Sequence, residues 1–134
     1  MVRRWWGSRW GRWLPLLLWM GAIFILSNQP KGDIPSFGLW DTLVKKTSHF
    51  LAYGVLAFLA LRVTETEKRP FLLAMLLAVL YAISDEFHQT YIPGRHGSPI
   101  DVIIDSLGAL TALLSLRKNW SRLPDSQSQP NQLP

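Results

Sequence analysis

Lys46, His49 and Tyr53 follow one another at intervals of three and four residues, and Asp101 and Asp105 are four apart. Between them lie Asp85, Glu86 and Gln89, then Arg95 just after a Pro-Gly pair. On a helix, steps of three and four place side chains on one face. Each segment therefore presents its polar groups together. Carboxylates, an imidazole, a phenol, a carboxamide, a guanidinium and an ammonium suffice to bind a polar ligand. The same groups can do acid/base work, because burial and neighbouring charges tune carboxylates and imidazoles. A divalent ion between carboxylates is a further use of the set. No recognised nucleophile or metal motif accompanies them. With no cysteine, disulfides, thiolate metal sites and sulfur nucleophiles are excluded.

The segments differ in how far their residues are explained locally. Lys45 lies about 100° round the helix from Lys46 and is turned away from the face. Simple interfacial placement is the alternative for His49 and Tyr53. Ala78, Ala82, Asp85 and Gln89 share a face, with Glu86 at its edge, and the small residues there allow close helix approach. Asp85 and Glu86 diverge, so one of them occupies the centre; Glu86 is preferred, and His88 points elsewhere. Arg95 sits in a short connector above the cluster. Its guanidinium suits a bidentate pair with Asp85 or Glu86, or a phosphate or carboxylate on a ligand. Ser98 reads as an N-cap, Pro99 as the first helical residue and Asp101 as the acid three residues after the cap, which gives Asp101 a local role. Asp105 has none. About two turns into the span, it shares a face with Asp101, Gly108, Ala112 and Ser115, and an acid inside a membrane span is by default a functional-site hypothesis.

The elements that must position these groups are four apolar runs, Leu14 to Leu26, Phe50 to Leu61, Phe71 to Ile83 and Ile100 to Leu116. In 134 residues with 49% hydrophobic and 17% charged content, they make a single domain and exclude a disordered chain. Each run is short of the roughly 20 residues of a full span unless its polar ends are counted. The first ends at Ser27-Asn28-Gln29-Pro30 without a cleavage pattern and reads as an uncleaved anchor. The expectation is an all-α, four-transmembrane-helix bundle in the cell membrane. A basic, Trp-rich interfacial segment spans 1–13, the membrane domain 14–119 and a disordered cytoplasmic tail 120–134.

Charge orients this bundle. Arg3, Arg4, Arg9, Arg12, Arg62, Lys68, Arg69, Arg117, Lys118 and Arg122 fall on one side, against Lys31, Lys45, Lys46 and Arg95 on the other. That asymmetry predicts cytoplasmic N- and C-termini. Six of the nine acids, Asp33, Asp41, Asp85, Glu86, Asp101 and Asp105, lie towards the outer side. The net charge of +5 thus reflects anchoring at span ends, and no nucleic-acid partner is expected. Trp5, Trp6, Trp10, Trp13 and Trp19 among these arginines read as an interfacial belt against anionic lipid.

The pattern Lys45-Lys46-x-x-His49-x-x-x-Tyr53, Asp85-Glu86-x-His88-Gln89-x-x-x-Pro93-Gly94-Arg95, Ser98-x-x-Asp101-x-x-x-Asp105-x-x-Gly108 resembles the VanZ-like family of small bacterial membrane proteins over roughly residues 14 to 116. The resemblance implies a multi-pass envelope protein. The family is named after a member associated with low-level resistance to the glycopeptide teicoplanin. Its common polar positions correspond here to Lys46, His49, Tyr53, Glu86, Gln89, Arg95, Asp101 and Asp105. Asp85 and Ile104 depart from it, where a small apolar and an alanine-like residue are expected.

The leading functional expectation is binding of an envelope lipid, a lipid-linked cell-wall precursor or a glycopeptide at the outer polar cluster, with membrane lipids as general partners and homo-oligomerisation open. The alternative is an enzyme acting on a lipid-linked substrate, with His49 or Glu86 as base and Arg95 holding an anionic group. A transporter is disfavoured by four spans without an internal repeat, and a purely structural cluster locking the helices remains a fourth reading. No organic cofactor is expected.

Overall fold

The computed structural model describes residues 9–29 and 37–120. Four α-helices account for most of them: α1 Arg9–Ser27, α2 Leu39–Thr64, α3 Pro70–Gln89 and α4 Pro99–Trp120. At 1.5 Å per residue these are about 28 to 39 Å long, within the range of spans that match a hydrocarbon core of about 30 Å. Each is apolar enough as well as long enough for a membrane span. Arg3, Arg4, Trp5, Trp6, Lys31, Asp33 and the tail from Ser121 lie outside the described residues.

The apolar runs are thus the middles of longer helices. The largest difference is in α2, which begins at Leu39, well before the run from Phe50. Val44-Lys45-Lys46-Thr47-Ser48-His49 lowers the local hydropathy without breaking the helix, so Lys45, Lys46 and His49 are carried on regular helical backbone.

Packing is organised around α2, which makes its broadest contact with α4, then α3; α1 lies mainly against α2. The buried apolar core is rich in alanine: Ala57 and Ala60 on α2, Ala74, Ala78 and Ala82 on α3, and Ala109 on α4. Small side chains let helices approach closely where no solvent-driven hydrophobic force acts between them. Gly108 is the tightest point, since a Cβ there would lie 2.1 Å from the Phe50 carbonyl oxygen.

Outward-facing Leu17, Leu18, Ile25, Leu51, Leu80, Ile103 and Leu114 remain exposed on all four helices. A continuous apolar exterior of this kind is incompatible with water and suited to lipid. The turn between α3 and α4 follows from its residues. Arg95 N–H donates to the Ile92 carbonyl at 3.1 Å, and Gly94 has φ of 75°. Pro93 and Gly94 thus hold the second and third positions expected of a type II turn.

Candidate functional site

The alanine face of α3 changes character towards its C-terminus. Ala74, Ala78 and Ala82 are followed on the same buried surface by Asp85, Glu86 and Gln89. Asp105 of α4 and Tyr53 of α2 are buried with them, at 0% and 1% exposure. Helix periodicity on three elements therefore converges on one polar cluster within an otherwise apolar bundle.

Asp85 accepts from Ser27 Oγ of α1, from Tyr53 Oη at 3.4 Å and from Gln89 Nε2 at 3.4 Å. Glu86 accepts from Gln89 Nε2 at 3.3 Å and from the backbone N–H of Ser98 at 2.8 Å. That second bond replaces the local capping expected at α4. In a capping box the acid three residues after the cap reaches back to the cap N–H, but here Glu86 of the preceding helix takes that donor. Asp101 is released to meet Lys45 Nζ at 3.2 Å. Deeper in the bundle, His49 Nδ1 lies 3.1 Å from Asp105 Oδ1.

Arg95 behaves differently from the expected carboxylate clamp. Its Nε donates to the Gln29 carbonyl at 2.7 Å and its Nη1 to Gln89 Oε1 at 3.3 Å. Both acceptors are neutral, so the guanidinium charge is not neutralised by these contacts. A cavity of about 300 Å³ opens beside it, lined by Lys45, Ser48, His49, Ala52 and Tyr53 of α2, Ile23, Leu26 and Ser27 of α1, and Arg95 itself. It combines cationic and hydroxyl groups with an aliphatic wall.

Of the sequence-derived candidates, His49, Tyr53, Glu86, Gln89, Asp101 and Asp105 are joined with Arg95 through these contacts and the cavity lining. Lys46 is not among the cavity residues, and Lys45 fills the cationic position. A lysine stem of four carbons overcomes a 100° offset between neighbours. Both Asp85 and Glu86 are buried rather than one. His88 lies aside, 3.3 Å from Asn28 Oδ1 and against the Phe24 ring. Sequence reasoning missed Ser27, although a signal existed: it continues the buried α1 positions Leu16 and Ile23 at helical spacing, a hydroxyl on an apolar face.

Four membrane-length helices around a buried acid–imidazole cluster define a multi-pass integral membrane protein. The VanZ/LLP1 family model matches residues 12–118, and the chain belongs to this family. No curated protein and no solved structure matches it.

Proposed function

We propose that the protein binds the anionic head group of a lipid-linked envelope molecule at the outer face of the membrane, with both termini cytoplasmic. The orientation is supported by the basic residues on the opposite side of the bundle, where the positive-inside rule places them. The observation that carries the binding reading is the cavity between α1 and α2, where Lys45, Arg95, Ser48 and Tyr53 face an aliphatic wall of Ile23, Leu26 and Ala52. A phosphate is served by the ammonium and guanidinium, and the attached hydrocarbon by the α1 side. At about 300 Å³ the space is at the small end of ligand sites. It suits a head group rather than a whole glycopeptide.

The test is native mass spectrometry of the full chain in nanodiscs of bacterial lipid. Wild type is expected to retain a phosphate-bearing envelope lipid, and Lys45→Ala with Arg95→Ala to lose at least about tenfold in occupancy. Equal retention by the folded double variant would refute the proposal. A contribution to teicoplanin resistance would follow from capture of a cell-wall precursor. It is read from the teicoplanin sensitivity of a deletion strain complemented with wild type or Arg95→Ala.

A second reading, reaction on the bound head group, draws on one feature: His49 lines the cavity and contacts the buried Asp105, the arrangement of an oriented general base. In that reading Glu86 is the other base candidate and Arg95 holds the anion. Release of product from the retained lipid by wild type, absent in His49→Gln, would favour it.

A further inference from the structure

Charge within the cluster is unevenly balanced. Asp85, Glu86 and Asp105 are each at most 4% exposed. Among the described residues, His49 is the one basic side chain that contacts any of the three. Lys45 is engaged by Asp101, and Arg95 by neutral oxygens of Gln29 and Gln89. The donors to Asp85 and Glu86 are hydroxyls, a carboxamide and a backbone N–H. Asp105 is the extreme case. Its side chain is fully buried, Oδ1 meets His49, and Oδ2 has no hydrogen-bond partner. A buried carboxylate oxygen without a donor is costly, and more so inside a membrane.

His49 of α2, Glu86 of α3 and Asp105 of α4 each offer a donor atom, and these atoms lie within 4.8 Å of one another. We propose that the three residues form a binding site for a divalent transition-metal ion, Zn²⁺ or Mn²⁺. Two ligands about 2.0–2.1 Å from a tetrahedral Zn²⁺ are about 3.3 Å apart, and the His49–Asp105 separation is 3.1 Å. The edges to Glu86 lie within 4.8 Å and close to the same length when the Glu86 side chain turns onto the ion. The imidazole favours Zn²⁺ over Mg²⁺ and Ca²⁺, which prefer oxygen donors, and the two carboxylates are what would admit Mn²⁺. Gln89 and the Ser98 N–H hold the Glu86 carboxylate from behind, as outer-sphere partners hold metal ligands. Three protein ligands leave the ion an open position, and His49 also borders the cavity. An anionic oxygen there would complete the coordination. The metal site stands independently of whether a lipid head group occupies the cavity.

The experiment is metal analysis of the full chain in nanodiscs, stripped with chelator and titrated with Zn²⁺ and with Mn²⁺. Wild type is expected to take up about one equivalent, with a chelator-reversible rise in thermal stability. Asp105→Asn and His49→Gln should each weaken binding about 100-fold or more, whereas Lys45→Ala with Arg95→Ala should stay within a few-fold. That double variant separates this site from the head-group reading. Absence of stoichiometric metal in folded wild type, or unchanged affinity in folded Asp105→Asn, would overturn the proposal. If the variants do not fold, X-ray absorption on metal-loaded wild type decides: a histidine–carboxylate shell is expected, and a shell without histidine would overturn it.

Discussion

The bundle is held together in two different ways. Helices α2, α3 and α4 fit by shape, with alanines along their shared faces and Gly108 against the Phe50 backbone. Helix α1 buries just Leu16, Ile23 and Ser27 among its described residues and is attached by discrete polar bonds. Trp19 Nε1 donates to the Ala52 carbonyl at 2.9 Å, Tyr81 Oη to the Met20 carbonyl at 2.6 Å, and Ser27 Oγ to Asp85. At the opposite end Arg12 pairs with Glu65 at 2.8 Å. The cavity lies along the seam between the two modes. Steric fit frames the carboxylates, while the wall on the α1 side is tied to that frame by a few hydrogen bonds, each worth about 0.6–1.7 kcal/mol in membranes.

The sharpest way to break this contrast is Gly108→Leu. Its side chain must enter space occupied by the Phe50 backbone, and a loss of about 3 kcal/mol is expected, read by denaturant-induced unfolding in mixed micelles. Stability equal to wild type would mean that fit is not what holds the three helices. Asp85→Ala should cost about 2 kcal/mol in the same assay, because it removes the acceptor of the buried Tyr53 hydroxyl and one of the two acceptors of Ser27 and of Gln89. Tyr81→Phe removes one α1 tether and should cost about 1 kcal/mol; a loss as large as that of Gly108→Leu would erase the distinction. Arg12→Ala breaks a partly exposed pair, so less than about 1 kcal/mol is expected, shrinking further with added salt. Gly21→Ala is the control. A Cβ there meets nothing within 4 Å, and relief of glycine's backbone freedom should stabilise α1 by about 0.5 kcal/mol.

The four helices were legible because the high apolar content of a small chain is gathered into four runs separated by polar, Pro- and Gly-bearing breaks, and Pro93-Gly94 announced its turn. The inward faces of α3 and α4 could be read from periodicity, with Asp105 marked by its lack of a local role. Contacts made by long side chains or by backbone were not legible. Lys45 reaches Asp101 from a position that helical angles turn away, and Arg95 chooses the Gln29 carbonyl over a carboxylate. The Glu86–Ser98 bond was hidden because Asp101 already satisfied the local capping pattern. Only the packing of α3 against α4 reveals which acid takes the donor.

That same bond links the order of synthesis to the order of assembly. The nine residues from Thr90 to Ser98 are too few to let α3 settle far from α4. Glu86 waits for an amide that is made twelve residues later. Until it arrives, Glu86 has one of its two donors, Gln89, whereas Asp85 draws all of its own from Ser27, Tyr53 and Gln89, made earlier or within α3. The start of the second arm thus supplies the second donor to a carboxylate near the end of the first, and the hairpin closes on a bond that neither arm holds alone.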